Sequence, residues 1–193
     1  MTGAAESALL SVQQGVQFLR RGQVIAYPTE AVYGLGCDPR NPSAVQSILE
    51  LKARDPGAGF ILVADHFEQL KPYLAPVDHH ILEPVLASWP GPVTWLIQKA
   101  QDIPEWLSGK HETIAVRVSA HPVCRALCTE LRSPLVSTSA NPAAREPARS
   151  AEQVSGYFGQ RIAGIVEGEL GDSPGPTEIR DLASGRVIRP GKV

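Results

Sequence analysis

Apolar residues along the chain fall into short runs bounded by glycine, proline and polar residues, the pattern of strands buried on at least one face. These runs are QVIAY (23–27), GFILVA (59–64), VTWLIQ (93–98), TIAVRV (113–118), PLVSTS (134–139) and IAGIVEG (162–168). Helical periodicity separates them. A helix from about Glu6 to Arg21 would place Leu9, Val12, Val16 and Leu19 on one face, with Gly22 as its stop. Asn41 followed by Pro42 is a helix start, and SAVQSILELKAR carries that helix toward Lys52 and Arg54, with Pro56 and Gly57 ending it. Further helices are expected near Asp78 to Ser88, His121 to Arg132 and Ser150 to Phe158.

Helices and strands therefore interleave, which predicts a layered α/β fold with one central sheet covered by helices. The link between VTWLIQ and TIAVRV has no convincing helical pattern, so these strands should pair antiparallel and the sheet should be mixed. No repeat or interdomain linker interrupts the chain, and one domain over residues 1–193 is expected. The segments Pro90 to Pro92, Asn141 to Pro147 and Pro174 to Pro176 read as loops.

The stretch YPTEAVYGLG (27–36) does not fit a plain strand. Pro28 would end ladder pairing, and Gly34 and Gly36 would give the chain a glycine loop. A turn is the simple reading; a ligand platform at a strand end uses the same features.

Composition narrows the class. With 43% hydrophobic and 20% charged residues the chain belongs with globular proteins, not with disordered or membrane ones. Its first residues lack the pattern of a signal peptide, and three cysteines, which cannot all pair, fit a reducing compartment, so a cytoplasmic location is expected. A net charge of −2 gives no overall field toward nucleic acid. Between Ala115 and Ser150, however, Arg117, Arg125, Arg132, Arg145 and Arg149 face only Glu130 and Glu146. Such a run suits an anionic ligand, although solvated surface arginines are its commoner origin.

No phosphate-binding glycine motif of the Walker or dinucleotide type is present. Cations at the ends of regular elements could replace it: Lys52 and Arg54, Arg117 in TIAVR, and Arg189 in VIRPG. Singly, each is ordinarily a surface cation. STSAN (137–141) packs three hydroxyls and an amide beyond an apolar strand, either as a local turn or as polar contacts for a ligand. His121, Cys124 and Cys128 would share a helix face, but without a fourth ligand they read as core residues rather than a zinc site. Cys37 has no neighbouring base, and no nucleophilic catalysis is assigned. Trp89 reads as a core aromatic before a turn.

Taken together and in order, YPTEAVYGLG, LKAR, WPGPVTWL, TIAVRV, STSAN and VIRPG resemble the YrdC-like family of threonylcarbamoyl-AMP synthases, over about Gln14 to Gly191. The resemblance implies an α/β (α+β) fold, a mixed twisted sheet flanked by helices with an open concave ligand-binding face. It implies a nucleotidyltransferase that makes threonylcarbamoyl-adenylate and pyrophosphate from L-threonine, bicarbonate and ATP, for a transferase complex that modifies tRNA. By the same resemblance, Thr29, Tyr33 and Arg117 bind threonine, Lys52 and Arg54 are catalytic and face the ATP phosphates, and Thr113, Ser139, Asn141 and Arg189 complete the ATP site. Magnesium is expected on the phosphates without a carboxylate cage of its own.

Several positions depart from the family pattern: Asp55 stands where proline is common, Pro147 where a further serine is expected, and Thr177-Glu178-Ile179 where Ser-Thr-Ile is usual. Two rivals remain. One is an RNA-binding module of the same fold, which would bind RNA weakly through a basic concave face. The other is a carbamoyl-transfer enzyme of the hydrogenase-maturation type, whose additional segments are not found in this sequence.

Overall fold

A computed structural model describes residues 7–191. In chain order the elements are β1 (Leu9–Leu10), α1 (Val12–Arg20), β2 (Ile25–Pro28), β3 (Tyr33–Cys37), α2 (Pro42–Lys52), β4 (Ile61–Ala64) and α3 (His79–Ala87). They continue with β5 (Val93–Gln98), α4 (Glu105–Ser108), β6 (Thr113–Val118), α5 (Pro122–Leu131), β7 (Leu135–Ser139), α6 (Ala151–Phe158), β8 (Ile165–Val166), β9 (Glu178–Asp181) and β10 (Val187–Arg189). All ten strands join one mixed sheet in the order β1-β8-β2-β3-β7-β4-β6-β5-β9-β10. The expected antiparallel pairing of β5 with β6 is present, joined through the four-residue α4.

Three sequence expectations need correction. Leu9 lies in β1 beside Ile165 and is exposed, because α1 begins only after Ser11. Ser11 accepts from the Gln14 amide and the Gln14 side chain accepts from the Ser11 amide, a capping box that sets the helix start. Glu6, the expected first helical residue, lies outside the described residues. Second, α2 stops at Lys52 not because of Pro56 and Gly57 but because Ala53 adopts the left-handed conformation (φ 47°). Third, although Pro174 to Pro176 form the expected loop, the chain beyond them is not irregular but forms the β9–β10 hairpin.

The glycine-rich stretch is also not a loop. Pro28 still pairs with Tyr33, the turn is confined to residues 29–32, and Gly34 and Gly36 lie within β3, between β2 and β7. Along β3, Tyr33, Leu35 and Cys37 point into one core layer, with α2 and α6. The glycines face the other side, where the Tyr27 ring lies across them and its hydroxyl donates to Ser137 Oγ at 2.8 Å. A Cβ on Gly36 would sit 2.6 Å from Tyr27 Cε1 and 2.9 Å from the Val136 carbonyl oxygen.

On that second face α1 and α5 cover only part of the sheet, burying Leu10, Ile25, Val63, Leu135 and Val166. Strand alternation continues beyond the helices with different residues. In β6, Ile114, Val116 and Val118 point into the first core, while Thr113, Ala115 and Arg117 face the uncovered half of the other side. That half holds the site.

Gly36→Ala should overpack this contact and destabilise by about 1–3 kcal/mol, lowering Tm by about 2–4 °C per kcal/mol for a chain of this size. Gly156→Ala in α6, where a Cβ meets nothing within 4 Å, should instead be neutral or stabilise by up to ~1 kcal/mol. Thermal melts of the two variants distinguish packing from helix propensity; equal shifts would contradict the Tyr27 contact.

Candidate active site

The uncovered half of the sheet forms the floor of a cavity of about 390 Å³. Its walls come from the 29–34 turn, the Arg54–Ile61 segment, residues 108–117, the end of β7 and the last hairpin. Arg54, Arg117 and Arg189 all line it, and no carboxylate does among the described residues. A concave surface with three guanidinium groups and hydroxyls suits an anionic ligand.

Each cation is held differently. Arg54 donates through Nη2 to the Gly59 carbonyl at 2.8 Å, lies over the Phe60 ring at 5.3 Å, and has a buried Nε without a partner among the described residues. Arg189 donates through Nε and Nη2 to the Thr177 carbonyl. Burial lowers the pKa of both below the ordinary arginine value, with Arg117 adding to the effect at Arg189. Arg117 is 5% exposed and pairs with Glu30 at 3.3 Å.

Lys52 is the most constrained. It is 7% exposed, and its ammonium donates to the carbonyls of Ser139 (2.6 Å) and Asn141 (2.7 Å) and to Asn141 Oδ1 (3.1 Å). All three of its protons are thereby committed. Burial, with Arg54 adding, pushes its pKa down to about 8. Ser139 Oγ also donates to Asn141 Oδ1 at 2.6 Å, and Asn141 Nδ2 donates to the carbonyls of Pro142 and Arg145. STSAN is therefore the end of strand β7 and the turn that follows it, with Ser139 and Asn141 organised around the Lys52 ammonium.

A family model, Sua5/YciO/YrdC, described as Telomere recombination, matches residues 17–191. The chain belongs to this family. Among related sequences of the Sua5/YciO/YrdC family, the Threonylcarbamoyl-AMP synthase of Halorhodospira halophila is 52% identical over 178 residues, covering 92% of this chain and 93% of that one. That of Marinobacter nauticus is 50% identical over 190 residues, covering 98% and 100%. P. abyssi Sua5 complexed with L-threonine superposes with a TM-score of 0.89 at 28% identity; the match covers 96% of this chain and 58% of that one. Full-length HypF in a phosphate- and nucleotide-bound form shares 18% identity at a TM-score of 0.78, a likeness of fold alone.

Within this family fold, Thr29, Tyr33, Arg54, Thr113, Arg117, Ser139 and Arg189 line one cavity, whereas Lys52 and Asn141 stand behind its wall. Thr29 Oγ1 donates to the Val32 carbonyl at 2.7 Å, which leaves only its lone pairs for a ligand. Of the five arginines between Ala115 and Ser150, only Arg117 reaches the cavity; Arg125, for one, pairs with Asp65 at 2.7 Å. Ser108, His111, Pro176 and Thr177 also line it without having been expected as ligand contacts, and Thr138 joins Ser139 from STSAN. Pro147 is in the wall as well, contributing no donor where the family pattern has a serine.

The cysteines take no part. Burial, with Asp38 adding, pushes the Cys37 thiol well up, and burial with Glu30 pushes Cys124 up to about 12. Cys124 and Cys128 are fully buried, and His121 Nδ1 caps α5 by accepting from the Val123 amide. No cluster of metal-binding side chains occurs among the described residues, and none of their helices is long and apolar enough to cross a membrane.

A titration of the Lys52 side chain by carbon-13 NMR should show a midpoint near pH 8, with the ammonium present below it and lost above it. Arg54→Ala should move that midpoint upward by removing a neighbouring positive charge. A wild-type midpoint above about 10, the ordinary lysine range, would contradict the buried placement.

Proposed function

We propose that the chain condenses L-threonine, bicarbonate and ATP into threonylcarbamoyl-adenylate and pyrophosphate. The observation that carries this reading is the cavity lined by Arg54, Arg117 and Arg189, with no carboxylate in its wall among the described residues. Membership of the family, with relatives about half identical that are named Threonylcarbamoyl-AMP synthase, supports the same activity.

The threonine amine captures carbon dioxide from bicarbonate as a carbamate, with loss of water. A carbamate oxygen then attacks the α-phosphorus of ATP, and pyrophosphate leaves along the opposite side. Both steps need placement and neutralisation of negative charge more than a protein nucleophile. Arg117 holds the threonine carboxylate with its planar fork. Thr29 Oγ1, its own proton spent on Val32, accepts from the threonine amine. Tyr33 borders the threonine pocket where β3 begins, with its ring in the core layer on the other face. Arg54 and Arg189 face the ATP phosphates, and Thr113 and Ser139 contact the nucleotide. Lys52 and Asn141 serve the nucleotide side through the turn they hold.

Magnesium would enter on the phosphates as part of the substrate, since no carboxylate lines the cavity among the described residues. The adenylate passes to a transferase acting on tRNA. The three free cysteines fit a reducing cytoplasmic setting for that work.

Pyrophosphate release should require threonine, bicarbonate and ATP together; release that persists without threonine would remove the substrate assignment. Arg117→Ala should weaken threonine use by about 2–5 kcal/mol, roughly 30-fold or more, with much less change in ATP binding. Equal losses for both substrates in a folded variant would place Arg117 elsewhere in the reaction.

A further inference from the structure

The Arg117 backbone belongs to the β6 ladder, but its buried side-chain Nε has no hydrogen-bond partner among the described residues. Its ionic contact is with Glu30 Oε2, through Nη2 at 3.3 Å. Glu30 is not itself in the cavity wall. Its carboxylate lies behind Arg117, and Oε2 has no hydrogen bond of its own among the described residues.

The carboxylate is fixed from several directions. Ser119 Oγ donates to Glu30 Oε1 at 2.6 Å and accepts from the His121 amide at 3.0 Å, so its only proton is directed at Glu30. The Glu30 carbonyl accepts from the Ser173 amide, and the neighbouring Thr29 carbonyl accepts from the Gly171 amide. Gly171 passes so close that a Cβ there would lie 2.8 Å from the Glu30 carbonyl oxygen. His121 Nδ1 accepts from the Val123 amide and its Nε2 lies 3.0 Å from the Glu169 carbonyl oxygen, so the ring links α5 to the same strap.

We infer that Glu30 is a positioning residue for threonine recognition: held by Ser119 and the 169–173 strap, it keeps the Arg117 guanidinium at the cavity wall while leaving that guanidinium's remaining donors to the substrate carboxylate. The inference rests on the proposed threonine-binding role of Arg117. Two effects compete at this pair. Glu30 offsets part of the Arg117 charge, which would weaken a second carboxylate's binding. Without Glu30, however, a buried guanidinium with no counter-ion is strongly unfavourable and turns toward water. The second effect dominates, because no other protein acceptor among the described residues holds the group in place. Burial would raise the Glu30 pKa, but Arg117 and the Ser119 hydrogen bond outweigh it and keep the carboxyl below its usual value, so the counter-ion is present at neutral pH.

Glu30→Gln should raise the KM for threonine about tenfold or more, change the KM for ATP less than about twofold, and leave kcat at saturating threonine within about threefold. Ser119→Ala, which keeps the charge and frees one carboxylate oxygen, should raise the threonine KM by about two- to threefold, and Glu30→Asp should recover part of the loss in Glu30→Gln. Nitrogen-15 spectra of arginine side chains supply a readout independent of turnover: the Arg117 Nε–H signal, distinct in the wild type, should broaden or exchange rapidly in Glu30→Gln. A lowered or unchanged threonine KM in folded Glu30→Gln would overturn the inference, as would proportional loss for both substrates. Wild-type pyrophosphate release that ignores threonine would instead remove the functional reading, while the spectral test of the Glu30–Arg117 pair would stand.

Discussion

A charge removed from water has to be compensated where it is buried, and this constraint organises the site. Lys52 and Arg117 are each less than a tenth exposed. Lys52 is satisfied by three oxygens of the turn after β7, 87 and 89 residues away in sequence, which ties the end of α2 to the end of β7. The turn's shape, including the orientation of Ser139 and Asn141, follows from the ammonium at its centre. Arg117 is compensated more loosely, by one oxygen of Glu30, and so retains donors for a ligand. One cation builds the wall; the other is left to act through it.

The sheet supplies the place for these charges. Helices α1 and α5 bury large aliphatic residues on one part of a face, and the strands continue past them with Gly34, Ala115, Ser137 and Thr113. Small residues there leave the volume a substrate needs, and the polar ones leave donors and acceptors around it. Tyr27 marks the boundary, filling the space over Gly34 and Gly36 and closing the floor with its hydrogen bond to Ser137. A cavity bounded in this way presents the positive charge of Arg54, Arg117 and Arg189 from one face of the sheet and the segments around it, the arrangement that electrostatic preorganisation calls for.

Much of this was legible in the sequence, for reasons that differ by element. The apolar run TIAVRV marked a strand, and Asn41-Pro42 marked a true helix start. The Ser11-x-x-Gln14 capping box was also present but was overridden by the apolar spacing through Leu9. YGLG was misread because glycine usually signals a loop, whereas here it yields to a tyrosine on the neighbouring strand. The β9–β10 hairpin is half-buried to exposed and lacks the apolar pattern that marks a strand. The attachment of Lys52 to the turn after β7 and of Arg117 to Glu30 could not be read locally, since each joins segments more than 80 residues apart. His111 and Pro176 were missed for a related reason: isolated in loops, they acquire meaning only from the cavity they share.

The most direct measurement of the whole arrangement is a crystal structure of the chain with L-threonine and a non-hydrolysable ATP analogue bound together. The account predicts both ligands on the uncovered half of the sheet, the threonine carboxylate on Arg117, the phosphates against Arg54 and Arg189, and Lys52 still bonded to Ser139 and Asn141. Either ligand seated away from this face, or a threonine carboxylate that makes no contact with Arg117, would contradict it.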